Sequence, residues 1–325
     1  MIELQNISKH YHVPKRDPGL KSAVKSLFSR EYATIEALSG ISFTVDDGEM
    51  IGYIGPNGAG KSTTIKIMCG VLTPDSGSCS INGRIPWKDR TEHVKNIGVV
   101  FGQRSQLWWD VPVLDSFSLL RDIYGTDPVV YRRNLDELTQ LLNLSQLLHV
   151  PTRTLSLGQR MRCEIAASLL HDPDILFLDE PTIGLDAVSK IAVRQFIHNR
   201  NKEHGTTVIL TTHDMQDIEA LTERVLLIGK GQILLDGKLD DLKRKTSSCK
   251  RLTVKYAGKM PQLCDGLTPI DAAATGLITL SLDHNTLSVS DAIAYLAAQT
   301  NLLDVSVSDI SAEEMVASLY EEYGI

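Results

Sequence analysis

The sequence has no apolar run that approaches the ~18 residues of a membrane-spanning helix. Its first residues, MIELQNISKHYH, contain no long apolar segment, so we expect no signal peptide. If this protein works at a membrane, other chains must supply the membrane spans.

Paired cysteines and an excess of positive charge are also missing. The five cysteines form no CxxC pair, which favours a reducing compartment and argues against a disulfide framework or a zinc module. The formal net charge is −7, which argues against a general nucleic-acid binder. Apolar residues make up 42% of the 325 residues, enough for ordinary cores in roughly two domains.

Residues 1–240 show the apolar patterns of an α/β domain. Strands are expected at 2–7 and 41–54, and the uninterrupted apolar runs DILFLDE and TTVILTTH are typical of a buried parallel sheet. Helices are expected from Ser62 to about Val71 and over most of 113–149. The helical run between the two buried strands indicates β-α-β crossovers.

Residues 241–325 differ in texture and predict a small α+β domain. The runs RLTVKY, LITLSL and LDVSVS favour strands, and helices are expected at 290–299 and 312–323. Ser311 and Glu314 form a capping box at the start of the last helix. This part of the sequence has no cluster of chemically reactive residues.

A glycine-rich loop between a predicted strand and a predicted helix matches the pattern G-x-x-x-x-G-K-[ST]. Its glycines let successive backbone N–H groups face phosphate oxygens. Lys61 is suited to bridge the terminal phosphates, and the Ser62 hydroxyl to bind Mg²⁺. The predicted ATP-binding residues of the loop are Gly55, Pro56, Asn57, Gly58, Ala59, Gly60, Lys61, Ser62 and Thr63.

Two carboxylates end one buried strand and a histidine ends the next. Asp179 is predicted to bind Mg²⁺, directly or through water, and Glu180 to act as general base on the attacking water. His213 is predicted to donate a hydrogen bond to the γ-phosphate, which would keep that water in line with Glu180.

Two further side chains are weaker candidates for the same site. Gln103 follows the apolar strand IGVVFG. Its amide oxygen is suited to bind Mg²⁺ or to accept a hydrogen bond from the attacking water. Tyr11 follows the first strand, where its ring is placed to stack on adenine, although His10 and His12 compete for that role.

In this order, the segments Gly55–Thr63, Gln103, Leu155–Gln159, Ile175–Glu180, Ile183–Asp186 and His213 resemble the nucleotide-binding subunit of an ABC transporter. The resemblance covers residues 1–240. It implies a P-loop NTPase core of the ABC type, in which a parallel sheet carries an antiparallel β-subdomain and a helical subdomain at about 103–170. The signature LSLGQ has Leu157 where the family most often has glycine.

The resemblance also implies ATP and Mg²⁺ as ligands and a head-to-tail pair of ATPase subunits, identical or different. Each ATP would lie between the phosphate loop of one chain and the signature of the other. Ser156, Gly158, Gln159 and Asp186 would therefore act on the partner's ATP. Separate transmembrane permease subunits would hold the chain at the cytoplasmic face of the cell membrane.

Three longer segments resemble the ATPases of ABC-2-type exporters, the subgroup that includes viologen and multidrug exporters. They are FGQRSQLWWDVPVLDSF, LSLGQRMRCEIAASLLH and LFLDEPTIGLD. This resemblance implies efflux of drug-like or lipophilic cations. The insertion at 14–36 resembles polysaccharide and teichoic-acid exporter ATPases, which are the alternative substrate class.

Other ABC-class ATPases fit the sequence less well. Non-transport members that act on ribosomes carry two such domains, and those that act on DNA carry coiled coils or zinc modules, whereas this chain has one phosphate loop and neither module. An importer ATPase is separated only by the 14–36 insertion and the SQLWWDVP loop. That insertion has an amphipathic pattern that suits either a membrane partner or its own domain. Trp108 and Trp109 suit a partner socket or the core.

The phosphate-loop interpretation predicts that Lys61→Ala weakens ATP binding itself. Loss of a charge-assisted contact to phosphate should raise the dissociation constant by about 10- to 100-fold, as titration with a fluorescent ATP analogue would measure. An unchanged dissociation constant would contradict the role of Lys61.

Overall fold

The computed structural model describes residues 1–14, 32–102, 104–241, 249–273 and 276–309, and positions 316, 319, 320, 323 and 324. These residues form two compact units, Met1–Asp236 and Gly237–Ile325. The predicted boundary at residue 240 lies close to this division. Gln103, most of the 14–36 insertion and most of the predicted helix at 312–323 lie outside the described residues.

A six-stranded sheet forms the centre of the first unit, in the order β5-β6-β7-β3-β8-β9. Its strands are β3 (Met50–Ile54), β5 (Ile97–Phe101), β6 (Ile175–Asp179), β7 (Thr207–Thr211), β8 (Arg224–Gly229) and β9 (Gln232–Lys238). Strands β5, β6, β7, β3 and β8 pair in parallel. All five residues of β3 and of β7 are buried, as expected for strands covered on both faces.

A second, antiparallel sheet of this unit has the order β2-β1-β4. Its strands are β1 (Ile2–Pro14), β2 (Tyr32–Val45) and β4 (Ser76–Ile81). The pairing of Ile2 with Val45 and of Leu4 with Phe43 puts apolar side chains on one face. These side chains share a buried core with the parallel sheet and with the helix that follows β3.

Seven helices are described in the first unit, together with a single 3-10 turn at Thr152–Thr154. They are α1 (Lys61–Met68), α2 (Arg90–Val94), α3 (Val113–Tyr124), α4 (Pro128–Leu141), α5 (Leu157–Leu169), α6 (Ala187–His204) and α7 (Met215–Leu221). Among the described residues, no helix is both long enough and apolar enough to cross a membrane.

The predicted helical stretch at 113–149 is two helices with a sharp break between them. Gly125 ends α3 in the left-handed conformation, with φ 64°. The Asp127 carboxylate then caps α4 by accepting hydrogen bonds from the N–H groups of Val129 and Val130, and Pro128 occupies the first helical position. After Leu141 the chain leaves the helix, so most of the stretch 113–149 is helical, as predicted, but not its last residues.

The second unit is a four-stranded antiparallel sheet with a helix packed on it. Its order is β11-β12-β10-β13, from β10 (Cys249–Ala257), β11 (Leu267–Ala273), β12 (Leu277–Asp283) and β13 (Asn301–Asp309), with α8 at Val289–Ala297. Leu252, Val254, Leu280 and Leu296 are fully buried in its core. The sequence did not predict β11, an edge strand that contains Pro269.

Candidate functional site

The glycine-rich loop joins β3 to α1 and is shaped by close backbone contacts. Gly60 caps α1 with φ 114°, and a Cβ atom there would lie 2.7 Å from the carbonyl oxygen of Ala37. A Cβ on Gly55 would lie 2.2 Å from the carbonyl oxygen of Ile228. Both positions therefore exclude any side chain, and the loop curls at the N-terminus of a helix, where anions bind favourably.

Lys61 lies at the first turn of α1 and reaches back over the loop. Its Nζ donates hydrogen bonds to the carbonyl oxygens of Gly55 at 2.5 Å and Pro56 at 3.1 Å. Burial lowers the pKa of Lys61, and the nearby carboxylates of Glu180 and Asp179 oppose that shift. A cation held by two neutral carbonyls is suited to a stronger, anionic partner such as phosphate.

Asp179 ends β6 beside the start of α1. Its Oδ2 accepts a hydrogen bond from the Ser62 hydroxyl at 3.3 Å, and its Oδ1 accepts one from the Thr211 hydroxyl at 2.6 Å. A carboxylate and a hydroxyl within contact are the donor types that Mg²⁺ shares with phosphate oxygens and water. Ser62 and Asp179 therefore fit Mg²⁺ in their chemistry, and their binding of the ion stays a prediction. The structure adds Thr211, which orients the carboxylate.

Glu180 and His213 form a close pair one residue past Asp179. The two side chains are 2.7 Å apart between Glu180 Oε1 and His213 Nε2. Glu180 has φ 58°, an uncommon backbone state for a residue with a side chain, and its N–H donates to the Thr211 carbonyl at 2.9 Å. This turn lets the Glu180 carboxylate and the His213 imidazole line the same cleft as the loop residues.

One cleft of about 510 Å³ collects most of these groups. It is lined by Ala37, Asn57, Gly58, Gly60, Lys61, Ser62, Thr63, Lys66, Val71, Phe101, Gly102, Arg104, Asp179, Glu180 and His213. The sequence motifs did not predict the two cations Lys66 and Arg104 in this cleft. They follow no motif, and only the fold places them here.

Some predicted residues stay outside the lining of this cleft. Gly55 and Pro56 lie behind it, where they accept hydrogen bonds from Lys61, and Ala59 is buried. Tyr11 lies on β1 opposite Ile35 and is not among the lining residues, so its contact with adenine stays a prediction. Gly102 and Arg104, the two neighbours of Gln103 in the sequence, line the cleft.

The signature segment forms the N-terminus of α5 and lies outside the cleft lining. The Ser156 Oγ accepts from the Gln159 N–H at 3.2 Å, and the Gln159 Oε1 accepts from the Ser156 N–H at 2.9 Å. This reciprocal capping box presents a helix N-terminus to an anion. Leu157 is 39% exposed and packs against Gly184, where a Cβ would come within 2.0 Å of the leucine.

Asp186 is also a helix cap outside the cleft lining. Its carboxylate begins α6 and accepts hydrogen bonds from the N–H of Ser189 at 2.8 Å and its hydroxyl at 3.0 Å. These bonds hold the pKa of Asp186 below its usual range. None of the four residues predicted to act on a partner's ATP lines the cleft of its own chain.

A buried carboxylate joins α5 to the loop that contains the two tryptophans. Glu164 accepts hydrogen bonds from the Ser105 hydroxyl and, at 3.1 Å, from the Gln106 N–H. Trp108 and Trp109 are 40% and 52% exposed, and the Arg160 guanidinium lies 5.9 Å from the centre of the Trp109 ring. Neither indole is buried, so neither tryptophan is a core residue of this unit.

Comparison with known proteins places residues 38–183 in the family that the motifs resemble. A family model described as ABC transporter matches residues 38–183. The probable multidrug ABC transporter ATP-binding protein YbhF of Escherichia coli (strain K12) is 32% identical over 239 residues, and the match covers 73% of this chain but only 40% of YbhF. The linearmycin resistance ATP-binding protein LnrL of Bacillus subtilis (strain 168) is 31% identical over 252 residues, or 78% of this chain and 72% of LnrL.

A solved structure gives the same result for the fold. It is the ATP-binding cassette MJ0796, described as a dimer in a post-hydrolysis state bound to ADP and Pi. The alignment has a TM-score of 0.62 and 27% identity, and it covers 74% of this chain and 99% of that one.

Proposed function

The chain belongs to the family of ABC transporter ATP-binding proteins, and from that membership we propose that it is the ATP-hydrolysing motor of an ABC-2-type membrane exporter. The observation that carries the proposed hydrolysis is the Glu180–His213 pair, held 2.7 Å apart in the lining of the cleft that Lys61 enters, and the names of the relatives support the exporter. A base and a hydrogen-bond donor beside a phosphate loop are what hydrolysis of a terminal phosphate requires.

Binding of the triphosphate is the work of the loop and of Lys61. The N–H groups of the loop and the N-terminus of α1 hold the phosphates, and the Lys61 ammonium moves its hydrogen bonds from the loop carbonyls to phosphate oxygens. Ser62 and Asp179 would hold Mg²⁺, and the bound ion would supply positive charge to neutralise the phosphate oxygens. Thr211 keeps the Asp179 carboxylate aimed at that position.

Hydrolysis is the work of Glu180 and His213. Glu180 accepts the proton of the attacking water, and the His213 imidazole donates a hydrogen bond to the terminal phosphate, which orients the water between them. The left-handed backbone at Glu180 turns the chain where its side chain joins that of His213 in the cleft lining. This preorganisation is an advantage because the groups need not rearrange during the reaction.

A second subunit completes each site. The capped N-terminus of α5, with Ser156, Gly158 and Gln159, is an anion-binding element without an anion site in its own cleft. Asp186 lies likewise outside that cleft. The dimeric state of the MJ0796 cassette supports an arrangement in which these residues face the partner's ATP. The partner is a second copy of this chain or a different ATPase subunit.

Separate transmembrane subunits hold the motor at the cytoplasmic face of the membrane. The exposed indoles of Trp108 and Trp109, with the exposed side chains of Leu119 and Ile123 on α3, supply an apolar surface for that contact. The proposed cargo is drug-like or lipophilic cations; relatives named for multidrug transport and linearmycin resistance support the drug-like part of this proposal. Export of polysaccharide or teichoic acid is the alternative.

The proposal predicts that Glu180→Gln separates binding from hydrolysis. Without a base, the rate of ATP hydrolysis should fall by about 10²- to 10⁴-fold, while the affinity for ATP stays unchanged and an ATP-bound dimer accumulates. Phosphate release and size-exclusion chromatography measure the two effects. Glu92→Gln, the same change in an exposed ion pair with Lys95, is the control. Hydrolysis at the rate of the unsubstituted chain would exclude Glu180 as base.

Attachment to membrane subunits should depend on the two tryptophans. A double change of Trp108 and Trp109 to Ala should abolish co-purification of membrane proteins from solubilised membranes, because it removes the apolar surface. ATP affinity of the isolated chain should not change. Tyr295→Ala, an exposed aromatic of the second unit, is the control. Co-purification and transport at full yield in the double variant would contradict this surface.

A further inference from the structure

The two side chains that we propose to be catalytic follow the last paired residues of β6 and β7. The register of β6 and β7 ends with Asp179 beside Thr211. Glu180 and His213 both follow that last pair. The Glu180 N–H still donates to the Thr211 carbonyl at 2.9 Å, but no strand pairing includes His213, so the 2.7 Å distance between the two side chains depends on further contacts.

One buried carboxylate, that of Asp217 on α7, joins these two segments. Its side chain is fully buried. Its Oδ2 accepts hydrogen bonds from two hydroxyls, those of Thr182 and, at 3.1 Å, Thr212. Thr182 lies two residues after Glu180, and Thr212 directly precedes His213. A single oxygen atom therefore bridges the segment of the base and the segment of the imidazole.

The backbone around His213 is held on both sides by this bridge. The Thr212 hydroxyl that donates to Asp217 also accepts a hydrogen bond from the Asp214 N–H at 3.0 Å. Asp214 in turn caps α7 by accepting from the Gln216 N–H at 3.0 Å. His213 lies between two residues that are both fixed to α7, so its ring position follows the position of that helix.

The other oxygen of Asp217 is occupied by a cation. Its Oδ1 accepts a hydrogen bond from Nε of Arg194 on α6. Burial of a carboxylate is costly unless its hydrogen bonds and its charge are satisfied, and here three donors satisfy it. An apolar side chain would avoid that cost but could not hold two threonine hydroxyls to one point. The geometry thus gives the carboxylate a role that packing alone does not require.

We propose that Asp217 is a positioning residue for hydrolysis, which acts through Thr182 and Thr212 to set the Glu180–His213 geometry. The inference rests on the proposed function, because it assumes that Glu180 and His213 perform the hydrolysis. Asp217 is not among the residues that line the cleft. Substitution of Asp217 should therefore change the rate of the chemical step and leave the affinity for the nucleotide unchanged.

Three variants of the full chain test the bridge. Thr182→Val and Thr212→Val each remove one hydroxyl at nearly constant volume, and Asp217→Asn removes the charge and one acceptor. Thr222→Val is the matched control, because Thr222 is a buried threonine at the end of the same helix, whose hydroxyl donates to the Ile218 carbonyl at 2.9 Å. Each protein is compared for kcat, affinity for a fluorescent ATP analogue, Tm, and the imidazole NMR signal of His213, assigned by its loss in His213→Gln.

The bridge predicts a specific pattern of results. The three variants should lower kcat by about 10- to 100-fold with ATP affinity within about twofold of the original, because small displacements of catalytic groups are costly. The His213 signal should shift or broaden in Thr212→Val and Asp217→Asn. Thr222→Val should lose similar stability but keep both kcat and the signal. If Asp217→Asn does not fold, the two valine variants decide.

Two results would overturn the inference, and they are distinguishable. Bridge variants that lose stability like Thr222→Val, with kcat and the His213 signal unchanged, would make Asp217 merely structural. Glu180→Gln serves as the reference in the same assay. If hydrolysis survives undiminished in that variant, the proposed function fails and the inference fails with it. If Glu180→Gln abolishes hydrolysis and the bridge variants do not lower it, only the inference fails.

Discussion

Parallel pairing of β3, β7 and β6 is the constraint on which the site depends. Because parallel strands end at the same edge of a sheet, the phosphate loop after β3, the carboxylate that ends β6 and the histidine beyond β7 meet within one cleft. Their places in the sequence are far apart, and no local structure joins them. The buried apolar residues that make the strands thus position polar groups that they never touch.

Backbone details then aim each group within that frame. The loop after β3 needs glycine where Ala37 and Ile228 approach, and Glu180 turns in a left-handed conformation. Hydrogen bonds from Ser62 and Thr211 fix the Asp179 carboxylate. Side chains at the ends of the strands and three long cations, Lys61, Lys66 and Arg104, line the cleft, an arrangement suited to a preorganised phosphate site.

Local motifs made much of this site predictable from the sequence. The glycine loop, Asp179, Glu180 and His213 each follow a recognisable apolar strand, so their type and their place at the sheet edge were predicted together. Thr211, Arg104 and Asp217 were not, because only contacts between distant segments give them a role; Asp217 meets Thr182 across 35 positions. In the second unit, β11 was not predicted because Pro269 and Asp271 are residue types that rarely occur in strands, and the edge position tolerates them.

The signature segment has no role in the cleft of its own chain. Its capped helix N-terminus is a favourable place for an anion, yet it lies outside the cleft of its own phosphate loop. A site divided between two chains explains both facts. The most direct measurement mixes Lys61→Ala chains with Ser156→Arg chains, each inactive alone, and records ATP hydrolysis by the purified mixed dimer. A divided site predicts that hydrolysis returns, since one of the two clefts then has an intact loop and an intact signature. No recovery in a correctly formed mixed dimer would contradict the account.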